Sequence, residues 1–373
     1  MTPTPRNIEV DTIRTFALIG ICIVNIPFLG LTVAQQLVPP TDLADQAAVF
    51  AVEALFQGKF FLLFSFIFGW GMHIQDQSAA RANVSFGRRY ARRLAGLALL
   101  GALHAVLVFT GDILVLYAIL GALIWPKRNK TPQALAVFAS KMVPLSAVAM
   151  GMIALAMTSP ITIIIGPGLG GSFAEAFATR IADWPTTFVF VALFNGPLAL
   201  GAFAMGIAAA KVDFFAPGNA QFARLSRAAP VLLGIGVPLN LLYAAAMSGL
   251  LPASTAIAQG LGMMALSFGA PMLTAVYLVG IIRFARRTVP GLGWLASGRN
   301  SLSGYVLQGI IAGAVFGGYG LGLHGQLGQA ELLFLSLAIA AGGMLLAFAW
   351  TRVFQRGPLE VVLRKITHGI RGH

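Results

Sequence analysis

Several stretches of this chain are too long and too apolar to belong to a water-soluble core. Residues 186–210, TTFVFVALFNGPLALGAFAMGIAAA, contain no charged side chain. A helix of about 20 apolar residues crosses a bilayer. Runs of this kind recur at 13–34, 47–74, 92–109, 111–126, 142–165, 186–210, 229–250, 257–282, 302–322 and 331–351, which predicts about ten spans. The fourth run is short and is expected to be tilted or incomplete. Hydrophobic residues make up 58% of the 373 and charged residues only 10%, against about 25% charged in a soluble domain. Most of the surface therefore does not face water. The expected fold is all-α: a polytopic transmembrane helical bundle forming one integral membrane domain over residues 1–373, with the lipid bilayer as its first partner.

The formal net charge is +13, and its placement argues for topology rather than for nucleic acid. Arg81, Arg88, Arg89, Arg92 and Arg93 lie between the second and third runs, and Lys127, Arg128 and Lys130 follow the fourth. Lys211, Arg224 and Arg227 follow the sixth, Arg283, Arg286, Arg287 and Arg299 the eighth, and Arg356, Arg364, Lys365 and Arg371 close the chain. Every second loop is basic, which places those loops and both termini in the cytoplasm. The opening residues are interrupted by Glu9 and Asp11, so the first run reads as a span and not as a signal peptide. The lone Cys22 excludes an intramolecular disulfide. No internal repeat is visible, which weighs against transporters built from two related halves. The loop IGPGLGGSFAEAFATRIADWP (165–185) reads as a turn followed by an interfacial helix, and GAVFGGYGLGLHG (313–325) as a site of close helix packing.

An ionisable group inside a span costs at least about 2.5–3.5 kcal/mol unless it meets a cavity or a partner, so the few that occur are informative. Helical rise places His104 ~15 Å, Lys59 ~18 Å, Asn25 ~18 Å and Gln308 ~9 Å into their spans. These four side chains share one central slab, with azimuths that depth alone does not give. Asn25 and Gln308 also suit interhelical hydrogen bonding. Ser301, Tyr305 and Gln308 share a helix face. Lys59 also suits snorkelling. Asp112, after Thr110 and Gly111, also suits capping of the next helix. No metal site is expected.

Five stretches, in order, resemble the signatures of the YeiB-like family of uncharacterised bacterial membrane proteins. They are RNIEVDTIRTFALIGICIVN (6–25), GKFFLLFSFIFGWG (58–71), RRYARRLAGLALLGALHAVLVFTGDILVLYAILG (88–121), GRNSLSGYVLQ (298–308) and GPLEVVLRKIT (357–367). They form an amino-terminal signature over about 6–125 and a carboxy-terminal one over about 220–370. Gly304 stands where a polar residue is expected before the Tyr. The resemblance implies a multi-pass protein of the bacterial inner (plasma) membrane. The family is distantly similar to transmembrane acyltransferases, including the acyltransferase-3 and heparan acetyltransferase groups, which use cytosolic acyl-CoA to modify an acceptor on the far side. In those enzymes a His commonly follows the first-span motif. Here the corresponding NIPFLGLTV has none, which leaves His104 as the membrane-embedded candidate.

Taken together, these readings give an expected acyltransferase. His104 is the general base, and Asp112 orients it if the intervening turn folds back, since eight residues of straight helix would separate them by ~12 Å. Lys59 or Asn25 stabilises the thioester oxyanion. Arg6, Arg14, Arg88 and Arg89, with Asp11 holding an arginine in place, grip the phosphates of acyl-CoA. Ser65, Ser301, Tyr305 and Gln308 line the substrate. Acyl-CoA is a co-substrate rather than a resident cofactor, and the acceptor is an envelope glycan, a lipid or a small molecule. Two alternatives stay open: a small-molecule or lipid transporter with a midplane polar path, and a non-catalytic membrane partner. Reporter fusions after Lys130, Arg227 and Arg287 are expected to report cytoplasm, and fusions in 166–185 the opposite side. A cytoplasmic signal from 166–185 would overturn the span count.

Overall fold

The computed structural model describes residues 7–157, 168–250, 256–288 and 291–369, and among these no strand occurs. The helices are α1 (Ile8–Gly30), α2 (Val33–Leu37), α3 (Leu43–Leu55), α4 (Phe60–Arg81), α5 (Phe86–Leu107), α6 (Leu114–Ile124), α7 (Pro132–Ala156), α8 (Phe173–Lys211), α9 (Ala220–Ser248), α10 (Ala256–Thr288), α11 (Leu292–Arg299), α12 (Ser301–Phe316), α13 (Gln329–Val353) and α14 (Pro358–His368). Eight helices are long and apolar enough to cross a membrane, with α3 and α4 counted as one. Two shorter apolar helices, Leu114–Lys127 and Ser301–Phe316, occupy the fourth and ninth runs. This is a multi-pass helical membrane protein.

α1 runs through the middle of the bundle and packs against α4, α10, α11, α12 and α13. Asn7 starts it by accepting the amide of Val10, at 3.0 Å. The basic ends of the helices meet at one face. There Arg286 pairs with Glu9 at 3.1 Å, and Asp11 lies 3.6 Å from both Arg14 and Arg299. On the same face Glu360 of α14 accepts the amides of Leu302 and Ser303 at the start of α12. The opposite face is tied by Gly325 N to Gly30 O at 2.7 Å and by Ala330 N to the Asp45 carboxylate at 2.9 Å.

Three local expectations are revised. The second run is not one helix: α3 ends at Leu55 and α4 begins at Phe60. Gly58 sits between them at φ +83°, with Ala270 2.9 Å from where a Cβ would stand, so only glycine suits this corner. Residues 173–185 are not a separate interfacial helix. They are the first turns of α8, which is 39 residues long. A reciprocal Ser172–Glu175 capping box starts the helix, and Pro185 interrupts only one backbone bond, not the helix. The ninth run stops at Phe316. Beyond it the glycines build a compact turn in which Leu321, Leu323 and His324 donate to Ala314, Val315 and Phe316.

α4 and α8 cross at backbone contact. A Cβ on Gly206 would collide with the carbonyl oxygen of Phe66 and lie 2.7 Å from the amide of Trp70, and one on Gly69 would collide with the carbonyl of Phe203. Small residues permit such approach in lipid, where packing rather than water exclusion joins helices. Gly206→Ala is therefore expected to destabilise the protein by about 1–3 kcal/mol or more, read as a lower melting temperature in detergent. Gly234→Ala, where a Cβ meets nothing within 4 Å, should leave that temperature unchanged or raise it.

Candidate functional site

The site begins with how α5 ends. The carbonyl of His104 accepts both Val108 N and Phe109 N at 2.9 Å, and the chain then reverses into α6. Gly101 makes room for the reversal: a Cβ there would stand 2.7 Å from Val115 N and 2.8 Å from Asp112 Oδ1. Asp112 thereby returns to His104, with Nδ1 to Oδ2 at 2.8 Å. Its other oxygen, Oδ1, accepts the amides of Leu114 at 2.7 Å and Val115 at 3.4 Å. One carboxylate both caps α6 and holds the ring. Its side chain is 0% exposed and that of His104 2%, so these bonds replace the water it gave up.

A carboxylate oxygen accepts, so His104 carries its proton on Nδ1 and presents the lone pair of Nε2 in the neutral ring. Nε2 is buried and makes no hydrogen bond among the described residues. It lies against Gly309, where a Cβ would be 2.7 Å away. The Tyr305 ring stands 5.0 Å from the imidazole, centroid to centroid. Its hydroxyl lies beside Asp112 without a hydrogen bond of normal geometry.

Three cavities share Tyr305 as a wall. The smallest, about 20 Å³, is lined by His104, Asn25, Tyr305 and Gln308 with Cys22, Gly309 and neighbouring apolar groups; that is room for roughly one water-sized group. A second, of about 120 Å³, lies toward the basic face, with Arg14, Gln75, Arg93 and Ser301 among its walls. The largest, of about 270 Å³, lies toward the opposite face, with Asn25, Gln36, Gln57, Thr110, Arg180 and Asp183. The helices show the division of levels. α1 gives Arg14 and Leu18 to one cavity and Val24, Asn25 and Phe28 to the other; α4 gives Phe64 to Gln75 to one and Phe60 and Phe61 to the other. Ile21, Phe61's neighbour Phe64 and Tyr117 wall the basic-side space, while Tyr305 lines all three cavities and Ile21 and Ile113 line the two larger ones.

The residues singled out from the sequence divide accordingly. His104, Asp112, Asn25, Tyr305 and Gln308 come together, and Ser301 lines the basic-side cavity. Lys59 does not join them. It is fully buried at the α3–α4 corner, donates to the carbonyl of Glu53 at 3.0 Å, and lines none of the three cavities. The count of depth along an unbroken helix misplaced it, because the helix is broken just before it. Glu53 in turn lies beside Tyr243 of α9, so this cluster sits at the helix corner. Ser65 also lines none of the cavities. Its hydroxyl bonds that of Tyr117 at 2.6 Å, which donates to Phe61 O at 3.1 Å. Asp11 and Arg14 lie at the basic face as expected, whereas Arg88 and Arg89 stay outside the cavity that Arg93 lines. Arg6 lies outside the described residues. Sequence reading passed over Arg93 as one of a cluster, Arg180 as a loop residue, and Gly309 altogether. Only Arg180 carried a usable signal, as the one basic residue of the 165–185 stretch.

Comparison with known proteins places this geometry. Residues 209–370 match the family described as "Protein of unknown function (DUF418)". The chain is 27% identical over 405 aligned residues to "Uncharacterized protein YxaH" of Bacillus subtilis (strain 168), covering 99% of this chain and 96% of that one. It is also 27% identical over 399 to "Uncharacterized protein YeiB" of Escherichia coli (strain K12), covering 97% and 96%. The chain is thus similar to both relatives over nearly its whole length. The family match takes in Tyr305, Gln308 and Gly309, while Asn25, His104 and Asp112 precede it, so the candidate site draws on residues inside and outside the matched region.

Asp112→Asn tests the dyad. Asparagine has one acceptor oxygen where the carboxylate uses two. If that oxygen caps α6, the amide NH₂ faces His104 Nδ1 and drives the ring proton to Nε2. In protein with ¹⁵N-labelled histidine, the wild type is expected to show the Nδ1–H tautomer for His104 and the variant the Nε2–H form. Unchanged ring shifts would show that Asp112 does not set the tautomer.

Proposed function

We propose that this protein transfers an acyl group from acyl-CoA, bound from the cytoplasmic, basic face, to an acceptor entering from the opposite face of the bacterial inner membrane. The observation that carries the reading is the Nε2 of an Asp-oriented histidine, which makes no hydrogen bond among the described residues and lines a small cavity that shares the wall residue Tyr305 with the cavities of both faces. A base needs an unprotonated nitrogen and a fixed ring, and the contact with Asp112 provides for both. The distant resemblance to transmembrane acyltransferases supports the same reaction.

In this mechanism Arg14 and Arg93 hold CoA phosphates at the basic side, and the apolar walls formed by Phe64, Phe68 and Leu97 take the thioester arm. Nε2 of His104 accepts the proton of an acceptor hydroxyl or amine. The acceptor oxygen or nitrogen then forms its bond to the thioester carbonyl carbon. Asn25 and the Tyr305 hydroxyl face the developing oxyanion. As the intermediate collapses, the carbon–sulfur bond breaks, and the departing CoA thiolate takes the proton from Nε2, which restores the neutral ring. Asp112 stabilises the imidazolium between these steps. The acceptor is an envelope glycan, a lipid or a small molecule.

With radiolabelled acetyl-CoA and purified protein, His104→Ala and His104→Gln are each expected to lower acyl transfer or acyl-CoA hydrolysis by about 10²–10⁴-fold, with acetyl-CoA binding kept. Arg93→Gln should instead weaken binding by about 10–100-fold, as loss of a charged hydrogen bond does. If the wild type binds no acyl-CoA while His104 variants change solute flux in liposomes, the acyl-transfer reading fails and the cavities form a transport path.

A further inference from the structure

The largest of the three cavities is lined by a charge that forms no ion pair among the described residues. Arg180 is 1% exposed. Its two terminal nitrogens donate to neutral acceptors, Leu107 O at 3.1 Å and the Tyr319 hydroxyl at 3.1 Å, and its buried Nε makes no hydrogen bond among the described residues. Among the described residues no carboxylate forms an ion pair with it. Asp183, one turn along α8, also lines the cavity, but it is exposed at the rim while Arg180 lies at depth. Between them α8 presents Arg180, Asp183, Thr187, Val191 and Asn195 to the cavity, a recurrence of three and four residues that makes one continuous stripe.

An uncompensated guanidinium in a water-poor place is retained where it meets an anion, and its planar fork matches phosphate or carboxylate. We propose that Arg180 binds the phosphate or carboxylate of a hydroxyl- or amine-bearing ligand that enters the largest cavity from the face opposite the basic loops. Leu107, whose carbonyl positions Arg180, is one turn beyond His104 on α5, so an anion held there leaves the rest of the ligand beside Tyr305 and within the approach to Nε2. The inference deepens the acyl-transfer reading by giving the acceptor a charge. Its test uses no acyl donor, so it stands or fails apart from that reading.

The test is calorimetric titration of the purified full-length protein in detergent with glycerol 3-phosphate, with glycerol as the uncharged counterpart, and with dihexanoylphosphatidylglycerol as the lipid form of the same group. Saturable binding of an anionic probe and none of glycerol is expected. Arg180→Gln should weaken it at least tenfold, and Arg180→Lys by less, because the charge stays and the fork is lost. Binding of glycerol 3-phosphate identifies a soluble ligand class; binding of the short-chain lipid alone identifies a lipid headgroup; either supports the site. Thr187→Phe fills the cavity without touching the guanidinium and should also abolish binding, which decides the matter if Arg180→Gln fails to fold. The proposal is overturned if no anionic probe saturates, or if folded Arg180→Gln or Thr187→Phe binds as tightly as the wild type.

Discussion

The carboxylate of Asp112 joins two requirements that a membrane helix corner rarely satisfies with one residue. The first amides of α6 need acceptors, because a helix gives its opening amides none of its own. The ring of His104 needs a fixed tautomer and pose. Oδ1 meets the first need and Oδ2 the second, and the pair closes only because Gly101 has no side chain to hold α6 off α5. The capping role and the orienting role, which look like competing explanations of a buried aspartate, are the same contact seen from its two oxygens.

Around this corner the bundle arranges access rather than bulk. α12 passes between the cavities, with Ser301 at one level, Tyr305 at the junction and Gln308 at the third, and Gly309 gives the imidazole its clearance. α1 supplies the other wall, from Arg14 at the basic face to Asn25 on the far side of the junction. The aromatic packing of Tyr117 with Phe68 and Phe203 supports the basic-side cavity from behind. Small residues at the α4–α8 crossing bring that support close enough to act.

The helical class and the multi-pass character were legible in the apolar runs, because a membrane leaves the chain few other options. A common level for His104, Asn25 and Gln308 was read from helical rise, and the three line one cavity. Lys59 was not: its depth assumed a straight helix, and the corner at Gly58 depends on Ala270, more than two hundred residues away. Ser65 was misjudged for a similar reason, as its direction is set by Tyr117 on another helix. The reversal that brings Asp112 to His104 was conceivable from the sequence and unprovable there, because what permits it is the missing Cβ of Gly101. Arg180 was hidden by its address, a loop in the sequence but a deep wall in space.

Tyr305 has an electrical consequence. Where the cavities on either side of it admit water, the insulating layer of the membrane narrows from the full hydrocarbon thickness to the few side chains at the junction, Tyr305, Ile21 and Ile113. A transmembrane voltage of 100 mV, worth about 2.3 kcal/mol per elementary charge, then drops across that thin septum instead of along the whole helix.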